Sequence, residues 1–435
     1  MNSNIAEKIP EGYKKTEIGV IPEDWKVKYI HDIVRKFIDY RGVTPKKLNM
    51  VWGNGNILAL SANNVQMGYI DYKKECYFAS EKLYKRWMRN GDCAQGDILL
   101  TMEAPLGNVA FIPDKKKYIL SQRTILIRPI EIIEKDFLRF FMMSEYFQKS
   151  LFNNASGSTA QGIQRRKLEK IKVYFPQYKA EQAAIARVLS DMDALIESLE
   201  KLIAKKKAIK QGAMQQLLTG KKRLPGFSEG WKISTLGELC NYQNGTTLEK
   251  YFNNKDGLKV ISIGNYSESG KFVETNTYID RKYSKELREF ILNKNNLTMI
   301  LNDKTSVGTI IGRVLIIEKD GKYIFNQRTM RLSVKDKINP LFLYFKINSN
   351  KTHRNIVDLS KPGTQIYVNT DDIVNLKIEH PRDKSEQTAI AKVLSDIDAE
   401  IEKLEQKRDK YISLKQGMMQ QLLTGKIRLV KNGDN

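Results

Sequence analysis

The fold of this chain is decided by one stretch of sequence that occurs twice. Residues 176–224 read PQYKAEQAAIARVLSDMDALIESLEKLIAKKKAIKQGAMQQLLTGKKRL, and residues 381–429 read PRDKSEQTAIAKVLSDIDAEIEKLEQKRDKYISLKQGMMQQLLTGKIRL. The copies lie 205 positions apart and share about 31 of 49 residues, which is far beyond chance for a match at a fixed spacing. The sequences between the copies diverge sharply. The chain therefore combines two nearly identical segments with two dissimilar ones.

Both copies have the apolar spacing of a long amphipathic helix. No proline lies inside either one, and we expect Gly212 and Gly417 to interrupt the helices late. Thr219-Gly220 and Thr424-Gly425 supply the stop signals. Each helix is predicted to span about 35 to 40 residues, or roughly 55 Å. Apolar residues recur in alternating steps of four and three, as in a coiled coil, at Ile185, Leu189, Met192, Ile196, Leu199 and Ile203, then at Ile390, Leu394, Ile397, Ile401 and Leu404.

Two such helices in one chain can bury each other's apolar stripes. An antiparallel pair does this most economically if a pseudo-twofold axis relates the two halves of the chain. The alternative is that each stripe packs only on its own neighbouring domain. We favour the antiparallel pair because the apolar pattern spans three or more turns with little decay.

A tryptophan-containing segment opens each half of the chain. Glu17–Val27 resembles Pro225–Ile233, so each half begins with a Trp-Lys-apolar strand signal at Trp25 or Trp231. We expect both tryptophans to anchor the core at the start of a domain. Because no third such segment follows the second helix, the N-terminal segment is predicted to take that place, which gives a circular, pseudo-symmetric arrangement.

The regions 26–175 and 231–380 carry mixed helix and strand signals. Gln122-Arg123-Thr124 and Gln327-Arg328-Thr329 recur at the spacing of 205, so the fold of the two regions is predicted to be duplicated while their loops differ. Strand-like runs are Ile57–Ser61, Asp97–Thr101, Val109–Ile112, Thr124–Arg128, Lys259–Ile263, Thr309–Ile317 and Met330–Val334, and helical candidates are Phe137–Phe152 and Pro340–Ile347.

These signals predict an α/β (α+β) protein in which two globular domains are separated by two long helices. The helices form an antiparallel coiled coil, and the whole chain is an internal pseudo-twofold repeat. The predicted boundaries are 1–175 for the first domain, 176–224 for the first spacer helix, 225–380 for the second domain, and 381–435 for the second spacer helix with its tail.

The charge of the chain indicates a polyanionic partner. The net charge is +23 at an ordinary apolar content of 41%, which describes a folded protein rather than a disordered polycation. Nucleic acid is the leading partner, an anionic membrane surface is the lesser one, and a merely basic protein is the alternative. Widely spaced Cys76, Cys93 and Cys240 favour a reducing compartment, and the chain has neither a signal peptide nor an apolar run near 18 residues. We expect a cytoplasmic protein without a membrane.

Three groups of motifs together resemble a known family. They are the opening YKKTEIGVIPEDW of Tyr13–Trp25, the pair EQAAIA and EQTAIA at Glu181–Ala186 and Glu386–Ala391, and MQQLLTG at Met214–Gly220 and Met419–Gly425. The chain resembles the specificity subunits of type I restriction–modification systems over essentially its whole length. The resemblance implies two target-recognition domains, each reading one half of a split, asymmetric sequence in double-stranded DNA. The paired helices would then act as a ruler between the halves.

The same resemblance implies partners that carry the chemistry. Such subunits recruit two methyltransferase subunits, which bind S-adenosylmethionine and typically modify adenine. A larger assembly adds restriction subunits that translocate and cut DNA. The chain itself would hold no cofactor and no metal.

Motifs of a self-sufficient enzyme are missing from the sequence. There is no Pro-Pro dipeptide for a base-flipping methyltransferase and no GxxxxGK[ST] loop for a translocase. Pro113-Asp114-Lys115 is interpreted as a basic turn rather than a nuclease core. Gly226–Gly230 matches Gly-x-Ser-x-Gly but follows a helix stop and precedes a strand signal, so we interpret it as a linker. We therefore predict no catalytic residues.

Lysine and arginine bind phosphates, while asparagine, glutamine and arginine read base edges, so polar residues of predicted loops are the candidate DNA contacts. The alternative for each of these loops is an ordinary polar surface turn without a binding role. In the first domain they are Arg41, Thr44, Lys46, Lys47, Asn63, Asn64, Gln66, Ser158, Thr159, Gln161, Gln164, Arg165 and Arg166. In the second they are Asn244, Thr246, Thr247, Asn265, Tyr266, Lys304, Thr305, Lys361, Thr364 and Gln365.

Two further features of the sequence are poor candidates for sequence specificity. Gln122-Arg123 and Gln327-Arg328 recur, so we assign them a structural or phosphate-binding role. The basic run from Lys201 to Lys210 is interpreted as a solvated helix face that helps to hold DNA or a partner through charge. Two other classes remain as alternatives: a basic coiled-coil scaffold without sequence preference, and a nuclease or methyltransferase that acts alone.

Overall fold

A computed structural model describes residues 9–17, 19–157, 160–304, 307–361 and 365–429. The chain divides into two compact units. The first unit comprises Met1–Leu199 with Lys407–Asn435, and the second comprises Glu200–Gln406. Each unit therefore combines one globular region with parts of both long helices.

The first unit contains short helices, short strands and the beginning of the first long helix. In chain order they are β1 (Tyr13–Thr16), β2 (Gly19–Pro22), β3 (Lys26–Tyr29), α1 (Ile30–Ile33), β4 (Val34–Asp39), β5 (Ile57–Leu60), β6 (Phe78–Ala79), α2 (Glu81–Trp87), β7 (Ile98–Met102), β8 (Leu106–Phe111), β9 (Tyr118–Leu120), β10 (Thr124–Pro129), α3 (Lys135–Met143), α4 (Glu145–Asn153), α5 (Arg165–Leu168), β11 (Lys172–Phe175) and α6 (Lys179–Leu217).

The second unit continues with a similar series of elements. They are β12 (Trp231–Thr235), α7 (Leu236–Leu239), β13 (Cys240–Asn244), β14 (Phe252–Asn253), β15 (Leu258–Ile261), β16 (Tyr278–Ile279), β17 (Leu297–Ile300), β18 (Asn302–Asp303), β19 (Val314–Ile316), β20 (Tyr323–Phe325), β21 (Thr329–Val334), α8 (Pro340–Asn348), α9 (Asn350–Asp358), β22 (Ile366–Tyr367), α10 (Thr370–Val374), β23 (Lys377–Pro381) and α11 (Lys384–Leu422). Single 3₁₀ turns occur at Lys46–Leu48, Glu249–Tyr251, Ile263–Asn265, Arg281–Ser284 and Arg288–Phe290.

The main sheets of the two units have the same topology. A four-stranded antiparallel sheet has the order β4-β10-β7-β8 in the first unit and β13-β21-β17-β19 in the second. A smaller sheet places β5 parallel to β9 in the first unit and β15 parallel to β20 in the second. The pair β3–β11 likewise matches β12–β23. The prediction of a duplicated mixed α and β fold is therefore confirmed.

The two long helices are 39 residues each and pack against each other within each unit. In the first unit Ile185 and Leu189, near the start of α6, share a core with Leu422 at the end of α11. In the second unit Leu217, at the end of α6, shares a core with Ile390 and Leu394 near the start of α11. These pairings are antiparallel, as predicted. The same apolar residues also pack on the globular region, so both predicted modes of burial contribute.

Paired charges repeat along these helices at equivalent positions. Lys415 Nζ lies 2.5 Å from a carboxylate oxygen of Asp193 in the first unit. Lys210 Nζ lies 2.6 Å from a carboxylate oxygen of Asp398 in the second. Since each residue of one pair is 205 positions from its counterpart in the other, the ion pairs follow the internal repeat.

Three local predictions were wrong. Gly212 and Gly417 do not interrupt α6 and α11, because both helices continue to their Leu-Leu ends. The predicted helix Phe137–Phe152 is two helices, because extended Ser144 ends α3 and its hydroxyl caps α4. Of the predicted strand Thr309–Ile317 only β19 forms, because Gly312 has a φ of +70° and turns the chain just before it.

The repeated Glu-Gln dipeptide is a structural device in both units. The Gln182 side chain accepts a hydrogen bond from the backbone N–H of Glu134 at 2.8 Å and donates to the carbonyl of Pro176 at 2.9 Å. Gln387 makes the same two bonds with Asn339 and Pro381, at 2.7 and 2.9 Å. Each glutamine thus fixes the start of a long helix to the chain that precedes α3 or α8. The near-identity of the two copies follows in part from this packing role.

The N-terminal segment lies against the end of α11, as the circular arrangement predicts. The Tyr13 hydroxyl donates to the carbonyl of Gly425 at 2.9 Å, and Arg428 binds Asp24 at 2.9 Å. Gly425 has a φ of +71°, and a Cβ added there would lie 2.4 Å from the Pro22 ring. Trp25 is fully buried beside it, so its predicted role as a core anchor is confirmed.

Candidate nucleic-acid interface

Four loops of the first unit meet at the carboxyl ends of the parallel strands β5 and β9. The backbone N–H of Ser121 donates to the carbonyl of Leu60 at 3.0 Å, which joins the ends of the two strands. Gln122 Nε2 donates to the carbonyl of Val43 at 3.3 Å, and Arg41 Nη1 reaches the carbonyl of Ile163 at 3.5 Å. The loops 41–47, 61–66, 121–123 and 160–166 therefore converge, and we call them the first loop cluster.

Several predicted residues of this cluster are already engaged by neighbouring groups. The Arg41 guanidinium lies 2.6 Å from Asp39, and Lys47 Nζ donates to the carbonyl of Gly42 at 2.7 Å. Arg165 pairs with Glu169 at 2.7 Å and covers the Phe37 ring. The hydroxyl of Thr44 accepts the backbone N–H of Lys47, and Gln66 donates to the carbonyl of Asn63. The exposed side chains of Lys46, Asn63, Gln161, Gln164 and Arg166 also belong to the cluster, while Ser158 and Thr159 lie outside the described residues.

The corresponding loops of the second unit meet in the same way. The Asn244 amide donates to the hydroxyl of Thr370 at 3.0 Å, and the Thr247 hydroxyl lies 3.1 Å from Gln327 Oε1. Arg328 Nη1 donates to Gln365 Oε1 at 3.3 Å. The strand β18 pairs with β22, which brings Lys304 and Lys361 to the same place. The segments 244–247, 302–304, 326–328, 365–370 and residue 361 form the second loop cluster.

The remaining predicted residues of the second unit divide by exposure. Thr246, Lys304, Lys361 and Gln365 are exposed. Thr305 and Thr364 lie outside the described residues. The recurrence of the loops at a spacing near 205 thus led to two compact clusters, although the residues in each cluster are widely separated in sequence.

Asn64, Asn265 and Tyr266 are corrected from candidate contacts to structural residues. Both asparagines have 0% exposure. The Asn64 side chain accepts the backbone N–H of Ser61 at 2.8 Å, and Asn265 accepts that of Ser262 at 2.9 Å. A base edge could reach either amide only by opening the turn that the amide holds together. Tyr266 packs in an apolar cluster of the second unit.

Residue-type reasoning missed other side chains of the clusters. Arg123 and Arg328 both have positive φ, 68° and 65°, at equivalent tight turns, and both side chains are exposed. The recurrence of these arginines in both halves was the available signal, but it suggested a role common to both domains rather than the reading of a particular DNA sequence. Tyr367 of β22, which is 41% exposed, belongs to the second loop cluster, and the sequence offered no signal for it.

The chemistry of the two clusters is that of hydrogen-bond donors, acceptors and cations. Among the described residues, no group of three or more histidine, cysteine or acidic side chains could hold a metal ion. Burial raises the pKa of the Cys93 and Cys240 thiols to about 12, so neither is a thiolate nucleophile at neutral pH. No helix in the described ranges is long and apolar enough to cross a membrane. Amides, hydroxyls and cations on exposed loops are the groups that contact nucleic acid.

Comparison with known proteins gives a consistent result. The family model for the type I restriction modification DNA specificity domain matches residues 22–210 and again 228–412. The chain is 28% identical to the type I restriction enzyme MjaVIII specificity subunit of Methanocaldococcus jannaschii, over 97% of both chains. It is 26% identical to the putative MjaX specificity subunit of the same organism, over 96% of this chain and 97% of that one.

Solved structures share the fold at low sequence identity. The crystal structure of a type I restriction–modification S subunit from M. genitalium superimposes with a TM-score of 0.59 at 15% identity, covering 92% of this chain and 96% of that one. A structure from a study of assembly and conformational transition in a type I system gives 0.55 at 14% identity, covering 94% and 99%. Because the family model matches each half of the chain, this protein belongs to the type I restriction–modification DNA specificity family and carries two recognition domains.

Proposed function

We propose that this chain is the non-catalytic subunit that gives a type I restriction–modification complex its DNA sequence specificity. Each recognition domain reads one half of a bipartite, asymmetric target. The observation that carries the proposal is the contrast between shared topology and divergent loops: both units gather loops at the same ends of the same strands, yet the loops differ in residues. Two readers with one architecture and different surfaces are what a split target with unlike halves requires.

The proposed contacts divide by chemistry. Phosphate contacts position the duplex without reading sequence, and lysine and arginine serve this role. Amide side chains can make bidentate contacts with an adenine edge in the major groove. We assign phosphate contacts to Lys46, Lys47, Arg166, Lys304 and Lys361, with Arg41 and Arg165 released from their carboxylates on binding. We assign base reading to Asn63, Gln66, Gln161, Gln164, Asn244 and Gln365, with Thr44, Thr246 and Thr247 as hydroxyl contacts.

The two long helices set the gap between the half-sites in this proposal. Both are uninterrupted over 39 residues. A continuous helix of that length measures about 58 Å at 1.5 Å per residue. Within each unit the helices pair through buried leucines and an ion pair, which supports their proposed role as the spacer.

We also propose that the helix ends recruit two methyltransferase subunits, one to each unit. A groove of about 710 Å³ in the first unit runs between the start of α4 and the end of α11. An equivalent groove of about 400 Å³ in the second unit runs between the start of α9 and the end of α6. Their linings correspond at the spacing of 205, with Ser144, Gln416, Gln420 and Thr424 in one and Ser349, Gln211, Gln215 and Thr219 in the other.

Gly212 and Gly417 support this docking surface. A glycine in a helix interior costs about 0.5 to 1 kcal/mol relative to alanine. A Cβ added at either residue would meet nothing within 4 Å, so the packing of the chain itself does not require glycine there. A partner that approaches the helix backbone closely would require it at both places. S-adenosylmethionine is proposed to bind in that partner, and restriction subunits to join a larger cytoplasmic assembly.

The proposal is tested by mapping modified bases. The chain is co-expressed with the methyltransferase encoded beside it, and modified bases are mapped across the host genome. The expected result is methylation at one split motif with two defined halves, which disappears when this chain is omitted. Methylation that does not depend on this chain would support a DNA-binding scaffold instead.

A further inference from the structure

The second unit contains a buried arginine without a counterion among the described residues. Arg313 is 8% exposed and stands between Gly312 and β19. Its Nη1 donates to the carbonyl of Asn348 at 2.7 Å. Its Nε is buried and has no hydrogen-bond partner in the part of the chain that the structure describes. No described carboxylate lies within 4 Å of the guanidinium.

An isolated buried charge is costly, and the other deeply placed arginines of this chain avoid it. Removing the partner of a buried ion is strongly destabilising, because the remaining charge is desolvated without compensation. Arg139 is equally buried but has Asp136 at 3.5 Å and Asp193 at 4.0 Å. Arg128 has Asp97 at 2.7 Å. Since a guanidinium does not lose its proton in proteins, Arg313 calls for an anion.

Arg313 lines a cavity whose other walls also suit an anion. The cavity has a volume of about 400 Å³ and includes Asn350, His353 and Arg354 of α9 together with Gly308 and Thr309. His353 Nε2 is buried there and, within the described residues, also has no hydrogen-bond partner. The cavity contains Asn350, the first residue of α9; the Ser349 hydroxyl caps the backbone N–H of Thr352, and the start of the helix favours negative charge. Two acids also act on this cavity: Glu268 lines it and interacts electrostatically with Arg313, and buried Asp303 interacts with His353.

The cavity lies directly against the second loop cluster. A Cβ added at Gly308 would lie 2.9 Å from Ile366 Cδ1. Ile366 belongs to β22, between Gln365 and the exposed Tyr367. The chain that forms the cavity wall also leads from Lys304, another member of the cluster. An anion bound beside Arg313 would therefore be continuous with the surface that is proposed to contact DNA.

We infer that this cavity binds one phosphate group, and that in the working complex it is a backbone phosphate of the DNA held by the second loop cluster. This inference rests on the proposed function. Phosphate matches the site because its several acceptor oxygens can take the free donors of Arg313, Arg354 and the α9 backbone together. The first unit has no counterpart, since only residues 103–105 separate β7 from β8, whereas residues 301–313 separate β17 from β19. We call this cavity the phosphate clamp, and among the described residues it occurs in the second unit alone.

The first experiment tests the anion site on the full chain with inorganic phosphate as the probe. Thermal midpoints are measured in phosphate and in chloride at equal ionic strength for the wild type, Arg313→Met, Arg354→Met and the control Arg281→Met. Phosphate is expected to raise the midpoints of the wild type and the control and to have no effect on the two cavity variants. In chloride, Arg313→Met should be no less stable than the wild type, because methionine removes an uncompensated buried charge. Equal phosphate responses in all four proteins would overturn the site.

The second experiment identifies the source of the phosphate. Binding of a random-sequence DNA duplex is measured at several salt concentrations. Loss of one phosphate contact lowers the magnitude of the slope of log K against log salt by about 0.9. The Arg354 side chain is exposed, so its replacement does not disturb the core. Arg354→Met should show this decrease in slope, and Arg281→Met should keep the wild-type slope. An unchanged slope in a variant that has lost its phosphate response would refute the DNA source and leave a site for another anion, such as a partner's carboxylate.

These outcomes are distinct from failure of the proposed function. A phosphate contact carries no sequence information, so Arg313→Met and Arg354→Met should leave the methylated motif unchanged while lowering methylation at limiting expression. Loss of chain-dependent methylation in the wild type would defeat the proposed function. A changed motif in either cavity variant would show that the residues read bases, and it would overturn the phosphate clamp.

Discussion

At the scale of single residues, two buried glutamates show what the repeated sequence maintains. Glu181 and Glu386 are 2% and 0% exposed. Arg428 Nε lies 2.5 Å from Glu181, and Arg223 Nε lies 2.5 Å from Glu386. Hydrogen bonds to Glu181 and to Asp24 raise the pKa of Arg428, so it stays charged throughout the accessible range. Each pair fixes the chain after one long helix to the start of the other.

Removing one member of such a pair should destabilise the chain. Arg428→Met leaves Glu181 buried without a cation and is expected to lower the free energy of unfolding by about 3 kcal/mol. This is the low end for a buried pair, because Arg428 is partly exposed. Urea unfolding followed by circular dichroism measures the change. The double variant Arg428→Met with Glu181→Met should recover most of the loss, and a single variant as stable as the wild type would contradict the assignment.

A histidine makes the second unit sensitive to acid. Burial, followed by the nearby charge of Arg313, lowers the pKa of His353 to about 4, from about 6.5 in an unfolded chain. Because the folded value is the lower one, the unfolded chain takes up the proton first as the pH falls. Stability contributed by this residue is therefore present above pH 6.5 and is lost between about pH 6.5 and 4.

Replacing His353 should reduce the loss of stability that the chain shows in acid. The fall in unfolding free energy between pH 7 and pH 5 should be about 1 to 2 kcal/mol smaller in His353→Gln than in the wild type. Urea midpoints at the two pH values measure it. His31→Gln, a change of an exposed histidine, serves as the control and should keep the full acid response. An identical fall in His353→Gln and the wild type would contradict the assignment.

Sequence reasoning at this scale selected loops that the structure brings together, but it misjudged the burial of some residues in them. Asn63 and Asn64 look alike in sequence, yet one is exposed and the other holds a turn closed. Residue type cannot separate these roles, because both depend on which way a three-residue turn points its side chains. Arg313 illustrates the converse: an arginine after glycine suggests a surface turn, and only the packing of Asn348 and α9 around it shows that it is buried.

At the scale of elements, the long helices could be predicted almost completely. Heptad spacing, the absence of proline and the Thr-Gly ends led to helices of the observed length. The error at Gly212 and Gly417 has a physical reason: the helix-breaking cost of one glycine is about 1 kcal/mol, which the surrounding turns of a packed helix easily offset. Short strands such as β18 and β22 could not be predicted, since two-residue strands have no periodicity.

Replacing one of these glycines should raise the stability of the free chain while it weakens partner binding. Gly212→Ala is expected to stabilise the free chain by about 0.5 to 1 kcal/mol, because the new methyl group meets nothing and helix propensity rises. If the groove docks a methyltransferase, the same change should weaken that association at least several-fold. Thermal unfolding and calorimetric titration give the two quantities. Ala204→Ser, elsewhere on α6, is the control, and unimpaired binding by Gly212→Ala would argue against docking at this groove.

Lengthening both helices should change the gap between half-sites. Inserting seven residues after Leu199 and seven after Leu404 preserves the heptads and adds about 10 Å to each helix. At 3.4 Å per base pair this corresponds to about three additional base pairs between the methylated half-sites. The inserted chain is compared with the wild type by mapping modified bases, with an insertion of the same length after Lys431 as the control. A motif with the original gap would contradict the ruler.

At the scale of the whole molecule, the chain is an internal repeat in which two units share a fold but differ in their surface loops. Topology, the Glu-Gln locks and the ion pairs along the helices repeat at the spacing of 205, whereas the phosphate cavity has no counterpart in the first unit. The family and the fold could be predicted from the repeated parts because packing constrains them strongly. The arrangement of the side chains in the loop clusters could not be predicted, because divergent loops are subject to no such constraint.

The central claim is that each recognition domain reads one half of the target independently. The most direct measurement replaces residues 26–175 with the matching region of another specificity subunit whose half-site is known, and then maps the methylated motif. The account predicts that one half of the motif changes to the donor's half-site while the other half and the gap stay the same. Loss or alteration of both halves would contradict it.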